Sequence, residues 1–255
     1  MTQHQNSSKQ LPNVDDFEDV FMPGLAIDAV IFGFNENQLK ILLLKYENTN
    51  LFALPGGFIK TNESLNEAAK RTVIERTSLV NIYLEQFYTF GDIARHDPEP
   101  LKIILKGKGH APSTDHWLFK RFLTVGYYAL IDYSKAIPIP DFLADKCEWH
   151  DLENLPVLML DHAQIVAKAL QTLRTNLDDQ LIGFNLMPET FTMNDLQCLY
   201  ETVLGKKFLR TSFQRKMLNL EILEQKDRKF TGAANKAPYL YKFIRKGKQS
   251  HKLKD

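Results

Sequence analysis

The residues best suited to chemistry lie in GGFIKTNESLNEAAKRTVIERTSL, Gly56 to Leu79. Behind the pair Gly56-Gly57, residues Leu65, Ala68, Ala69 and Val73 recur at helical spacing, and Glu67, Arg71 and Glu75 form a second stripe on the same stretch. Taken alone, that stripe is a ladder any exposed helix could carry, worth a few tenths of a kcal/mol per pair. Positions 72, 75 and 76 converge on one point of such a helix. Of the three, only Glu75 is anionic, because Thr72 is neutral and Arg76 is a fixed cation. A guanidinium there repels a divalent ion and suits a phosphate, a carboxylate or sugar hydroxyls; a plain surface arginine is the bland alternative.

A second constellation is basic. RTSFQRKMLNLEIL reads as a helix whose start carries Arg210, Gln214, Arg215 and Lys216, with Thr211 or Ser212 as its cap and Phe213, Met217 and Leu220 facing inward. At the start of the second helix of a helix-turn-helix, side chains reach base edges in the major groove while the helix N-terminus faces a phosphate. Arg210, Thr211, Ser212, Gln214, Arg215 and Lys216 are the candidate DNA-reading residues. Lys226, Arg228, Lys229 and Lys236 fall on the following wing, where phosphate contacts are expected. The last residues, RKGKQSHKLKD, read as a solvated basic tail.

The elements that must position these groups are legible in outline. Residues 1–20 read as a flexible arm. LAIDAVIFGF and LKILLLKY around NENQ signal a β-hairpin, and LFALP leads into the glycine pair, so strand, loop and helix follow one another over 51–78. Further strands are expected at Leu84 to Phe90 and at Lys120 to Ile131, the second buried on both faces, with a polar excursion from Asp97 to His116 between them. CEWHDLENLP reads as a strand and turn, and Asp161 to Leu177 as an amphipathic helix capped by Asp161. FTMNDLQCLYETVLGK starts with a Thr192/Asp195 capping box and ends at Gly205. Extended runs at about Asp227 to Phe230 and Tyr239 to Ile244 complete a winged helix-turn-helix.

Of 255 residues, 44% are apolar and 25% charged, which excludes disorder, collagen and a disulfide scaffold. The net charge of +1 conceals a split. From Gly205 onward there are 15 Lys and Arg against 4 Asp and Glu, and before it 17 against 27. An acidic body with a basic end is expected when one part must find a polyanion and the other must not. Cys147 and Cys198 lie far apart without a CxxC pair, and the N-terminus lacks an apolar leader, so a cytoplasmic protein with no membrane partner is expected.

Gly57, Glu63, Arg71, Val73, Glu75 and Leu79 match, position by position, the Nudix box, which this stretch resembles. Thr72, Arg76 and Ser78 depart from it, where the pattern has glutamate, glutamate and glycine. The resemblance implies that carboxylates at positions 72, 75 and 76 hold Mg²⁺ on a pyrophosphate in active members, so weak metal binding and little hydrolysis are expected here; it also makes Glu63, Arg71, Glu75 and Arg76 the candidate ligand-binding residues, with no catalytic residue, no metal ligand and no cofactor assigned. IGFNLMPETFTMNDLQCLYETVLGKKFLRTSFQRKMLNLEIL and ANKAPYLYKF are similar to the C-terminal domain of the Nudix-related transcriptional regulators of the NrtR and AraR type. RFLTVGYYALI, WHDLENLPVLMLDH and IVAKALQTLR look like that family too.

The resemblance implies an α+β chain. A Nudix-like mixed-sheet α/β/α sandwich (21–160) is followed by a connecting helix and linker (161–185), a winged helix-turn-helix (186–246) and a basic tail (247–255). It implies a homodimer on a double-stranded DNA operator, with a small effector in the Nudix cleft. Two effectors are open, ADP-ribose and a sugar such as arabinose; the lost metal ligands favour the sugar, since a pyrophosphate would profit from Mg²⁺. A Mg²⁺-dependent Nudix pyrophosphohydrolase with an accessory basic domain is the rival. His96 and His110 are loop residues near the expected cleft mouth, and of Tyr127 and Tyr128 one is expected to pack the core while the other could stack on a base or sugar.

Overall fold

The computed structural model describes residues 20–46, 49–80, 82–177, 183–228 and 237–244. The expected N-terminal arm up to residue 19, Lys229, Lys236 and the tail 247–255 lie outside them. Strand β1 (Phe21–Asn35) turns into β2 (Gln38–Tyr46) through Glu36 and Asn37, both left-handed, with Phe32 opposite Ile41 and Asn35 opposite Gln38. β3 (Leu51–Ala53), β4 (Gly56–Lys60) and helix α1 (Leu65–Thr77) follow. β5 (Tyr83–Phe90), α2 (Glu99–Gly107), β6 (Leu123–Leu130), β7 (Lys146–Asp151) and α3 (His162–Asn176) complete the first unit.

The sheet is mixed. Its strand order is β3-β2-β1-β6-β5, with β4 on β1 and β7 on β2, and β1 runs parallel to β6 while the other pairs are antiparallel. The two-residue strand period divides β1 between two helices. Ile27, Ala29 and Ile31 pack with Ala68, Ala69 and Val73 of α1. Val30 and Phe32, on the other face, pack with Ile165, Val166, Ala169 and Leu173 of α3. Asp28 shares the α3 face by alternation and is buried. With helices on both faces, Tyr127 and Tyr128 are both buried, and neither is free to stack on a ligand; the hydroxyl of Tyr127 donates to Asn66 of α1 at 2.9 Å, and that of Tyr128 to Glu85 at 2.7 Å.

After α4 (Gly183–Leu186) comes a three-stranded sheet, β8 (Phe191–Thr192), β10 (Tyr239–Phe243) and β9 (Leu223–Arg228), with helices α5 (Met193–Leu204) and α6 (Arg210–Asn219). The Thr192/Asp195 capping box forms and Gly205 closes α5 in the left-handed conformation. The apolar face of α5, Leu196, Leu199 and Val203, joins the same core as α3 and as Ile41 and Leu43 of β2.

Several expectations change. The excursion 97–116 contains α2, whose Ile104 and Leu105 are buried. The strand placed at Lys120 to Ile131 begins at Leu123, behind a short turn of helix at Trp117–Phe119. Asp161 stands at the head of α3 without capping it, because Arg95 takes its carboxylate. α6 begins at Arg210 on Leu209, so neither Thr211 nor Ser212 caps it, and Leu220 ends it exposed at 41% rather than facing inward. The first wing strand starts at Leu223, ahead of Asp227.

Candidate functional site

The glycine loop is fastened to α1 by its own charges. Ser64 and Glu67 form a capping box, with Glu67 Oε2 accepting from Ser64 N at 2.8 Å. Glu67 is thereby drawn out of the ladder expected with Arg71. Arg71 instead reaches back to Glu63, Nη2 to Oε1 at 2.6 Å and Nε to Oε2 at 3.0 Å, and donates to Phe58 O at 2.9 Å. Glu63 also accepts from Lys60 N at 2.8 Å. The Arg71 hydrogen bonds, then burial opposing them, hold the Glu63 carboxyl below its ordinary range, and the same contact raises Arg71.

The structure brings all four candidate ligand residues into one chain of ion pairs. Glu63–Arg71 is followed by Arg71 Nη1–Glu75 Oε1 at 3.5 Å and Glu75 Oε2–Arg76 Nη2 at 3.4 Å. Glu75 is the most open member, at 44% side-chain exposure. Arg76 is 8% exposed, with Nη1 donating to Ile139 O at 3.3 Å and Nε unpartnered. Segment 137–139 seals this end of α1, Ile139 N donating to Arg76 O and Ile137 N to Thr77 O, both at 3.0 Å.

A divalent cation does not fit these residues. Thr72 is 1% exposed and lies under Gly57, where an added Cβ would stand 2.9 Å from its hydroxyl oxygen. The remaining carboxylate, Glu75, already faces a guanidinium. A dication beside Arg76 would meet like charge and a single anion, where Mg²⁺ asks for a nearly octahedral oxygen shell.

The insertion forms part of the wall around this region. Leu105 of α2 clusters with Trp117 and Phe119 against Phe58 of β4, and Ile104 with Leu44, Tyr46 and Ala144. A cavity of about 110 Å³ lies beside it, lined in part by Tyr46, Thr49, Ile104, Lys108 and Asp145. Burial raises the Tyr46 hydroxyl well above its usual range and pushes the Cys147 thiol up to about 12. His96 is exposed, while His110 is half-buried with its Nε2 enclosed. A larger cleft, about 760 Å³, separates the end of α1 and β6 from the second unit, between Ser78, Leu79 and Asp132 on one side and Met187, Glu189 and Lys242 on the other.

The basic unit presents its charges along α6. Arg210, Thr211, Ser212, Arg215 and Lys216 are exposed, Gln214 is half-buried, and Phe213 and Met217 anchor the helix inward. Lys216 Nζ lies 6.0 Å from the Tyr200 ring centroid. On the wing, Lys226 pairs with Glu224 at 2.6 Å, Arg228 lies over the Tyr239 ring, and Lys242 pairs with Glu189 at 2.6 Å. Lys207 of the α5–α6 turn, absent from the sequence-based set, is 90% exposed and paired with Glu201 at 2.7 Å. The turn is fixed by Glu201, which accepts from Phe208 N at 2.9 Å and from Gln197 at 2.8 Å.

Known proteins share this arrangement. Residues 22–173 match the NUDIX domain family and residues 183–243 the NrtR DNA-binding winged helix domain. The chain is 30% identical over 229 residues to the ADPR responsive transcriptional repressor NtrR of Acinetobacter baylyi, covering 87% of this chain and 82% of that one. It is 31% identical over 147 residues to an ADP-ribose pyrophosphatase of Methanocaldococcus jannaschii, covering 56% of this chain and 71% of the relative. The crystal structure of Shewanella oneidensis NrtR complexed with a 27mer DNA superposes with a TM-score of 0.67 at 28% identity, over 86% of this chain and 93% of that one.

Proposed function

The chain belongs to the NUDIX family and carries an NrtR DNA-binding winged helix domain, and from that premise we propose that it is a transcriptional repressor whose operator binding responds to ADP-ribose. The observation that carries the reading is the union, in one hydrophobic core, of a Nudix unit, whose helix carries Arg76 where the Nudix pattern has a glutamate, with a basic helix-turn-helix. The effector follows from the Acinetobacter relative, which is ADPR responsive and matched along most of both chains. The sequence favoured a sugar such as arabinose because the metal ligands are missing, and none of the relatives named above supports a sugar. Arg76 also weakens the reason for that preference, since a fixed cation supplies positive charge that a diphosphate would otherwise draw from Mg²⁺.

Glu63, Arg71, Glu75 and Arg76 frame the effector site, and Arg210, Thr211, Ser212, Gln214, Arg215 and Lys216 face DNA. Two copies bind a nearly palindromic operator with half-sites about 34–36 Å apart. Thermal shift and calorimetry with ADP-ribose and arabinose, joined to fluorescence anisotropy on operator DNA, test the reading. ADP-ribose should bind and change operator affinity, and arabinose should do neither. Binding of arabinose alone would sink it.

The likeness to an ADP-ribose pyrophosphatase favours a second reading, a hydrolase with an accessory basic domain. It requires metal-dependent turnover of roughly 1 per second or faster and no sequence-specific retention of DNA.

A further inference from the structure

We propose that the buried cluster Asp28–Arg95–Asp161–His162 is the link through which the state of the glycine loop and of the insertion reaches helix α3, and through α3 the DNA-binding unit. The proposal rests on reading the chain as an effector-responsive repressor.

Asp28, Arg95 and His162 are 8%, 9% and 6% exposed. Burying ionisable groups is costly unless they are paired and oriented, and here they come from separate parts of the chain. Asp161, at the head of α3, leaves its own helix uncapped and accepts Arg95 bidentately, Oδ2 from Nε at 3.0 Å and Oδ1 from Nη2 at 3.2 Å. Asp28 lies 3.8 Å from Arg95 on one oxygen and 3.8 Å from His162 Nε2 on the other.

Two inputs converge on this point. The first is the glycine loop, since Leu54 N, two residues before Gly56, donates to His162 Nδ1 at 2.9 Å. Gly56 has no spare room above the cluster, because an added Cβ would meet Asp28 Oδ1 at 2.7 Å and Ile27 O at 2.9 Å. A displacement of that loop is therefore felt by Asp28 and by the first residue of α3. The second is the insertion carrying α2. Arg95 stands just before it, and its Nη1 donates to Phe122 O, just after it, at 2.6 Å. One guanidinium thus staples both ends of the insertion to the head of α3.

The output is α3 itself. Its apolar face shares a core with Leu196, Leu199 and Val203 of α5, and Arg174 Nε donates to Val203 O at 2.7 Å. Close-packed interiors transmit displacement rather than absorb it, and a planar bidentate pair has few alternative arrangements. Both sites then bias one element, as coupling of two sites requires.

The test uses the full chain and a duplex selected from random DNA, with anisotropy titrations at saturating ADP-ribose and without it. The wild-type ratio of the two Kd values should be about tenfold or more. In Asp161→Asn it should shrink below about threefold, while ADP-ribose affinity by calorimetry stays within about threefold, and Asp161→Glu should recover part of the ratio. Arg95→Lys, which keeps the charge but loses the fork, serves as the second variant. A wild-type ratio in both Asn and Lys variants overturns the link. Hydrogen exchange needs no effector: by reciprocity, operator DNA should alter exchange at the amides of Leu54, Gly56, Gly57 and Phe58 in the wild type and not in Asp161→Asn. No change in the wild type overturns the link whatever ADP-ribose does. A loop that responds to DNA in a protein indifferent to ADP-ribose retains the link and rejects the effector reading alone.

Discussion

Arg71 grips both carboxylate oxygens of Glu63, at 2.6 and 3.0 Å, across the loop that separates β4 from α1. With the bond from Arg71 to Phe58 O, the pair fixes the glycine loop against the helix before any ligand arrives. The two residues act as a frame, and Glu75 is left as the carboxylate of the ion-pair chain more open to solvent.

That frame has an acid limit. Glu63 is depressed in the folded chain mainly by the Arg71 hydrogen bonds, so its contribution is complete above the unfolded glutamate pKa of about 4.3 and is lost as pH falls through the lower folded value. Urea unfolding at stepped pH should show stability falling below about pH 4.3, with a shallower fall in Glu63→Gln. Arg71→Ala should cost about 1–3 kcal/mol at neutral pH, because it leaves an enclosed carboxylate with the Lys60 N–H but without its charged donor. An identical acid limb in the Gln variant would refute this.

The two units should unfold together, since one core joins Ile41 and Leu43 of the sheet to Leu196, Leu199 and Phe213 of the DNA-binding unit. Both tryptophans, Trp117 and Trp149, lie in the first unit. Leu199→Ala, remote from both in sequence, should remove about 2–5 kcal/mol and move the tryptophan-monitored transition with it. A tryptophan transition left in place would mean that the units unfold independently.

Arg215 is exposed on α6 and is absent from the core cluster, so Arg215→Ala should leave stability and ADP-ribose affinity unaltered. Operator affinity should fall by about 1–3 kcal/mol if it reads a base, or the salt slope by about one unit if it holds a phosphate. Anisotropy titrations at several salt concentrations separate the two, and unchanged affinity at every salt would remove Arg215 from the interface.

Residue periodicity carried most of the architecture. The hairpin, the Gly56-Gly57 loop, α1, α5 with its Thr192 box and Gly205 stop, and the basic α6 follow from patterns spanning a few residues. Features set by distant partners did not show in the sequence. Asp161 has the right type for a cap, and only the fold brings Arg95 to it. Glu67 and Arg71 have ladder spacing, yet the capping box claims Glu67 and Glu63 claims Arg71. Helix α2 was hidden because ILK in EPLKIILKG sits between a proline and glycines, although Ile104 and Leu105 anchor it. Leu220 reads as inward on a continuing helix, but α6 ends one residue before it.

The position of Arg76 bears on metal dependence. Its guanidinium lies 3.4 Å from Glu75 and is fixed by Ile139 O, so a divalent ion at this point would have to displace a tethered cation. ADP-ribose affinity measured by calorimetry should therefore be the same in EDTA as in millimolar Mg²⁺ or Mn²⁺, and Mn²⁺ titrated into the free protein should show no tight site by electron paramagnetic resonance. Arg76→Lys retains the charge without the bond to Ile139 and should keep most of the affinity. Arg76→Gln removes the charge and should weaken ADP-ribose by about tenfold, the scale of one charge-assisted hydrogen bond of 1.5–3 kcal/mol partly replaced by water. Affinity that rises with Mg²⁺ in the wild type, and is lost in Glu75→Gln, would show instead that Glu75 alone recruits the ion.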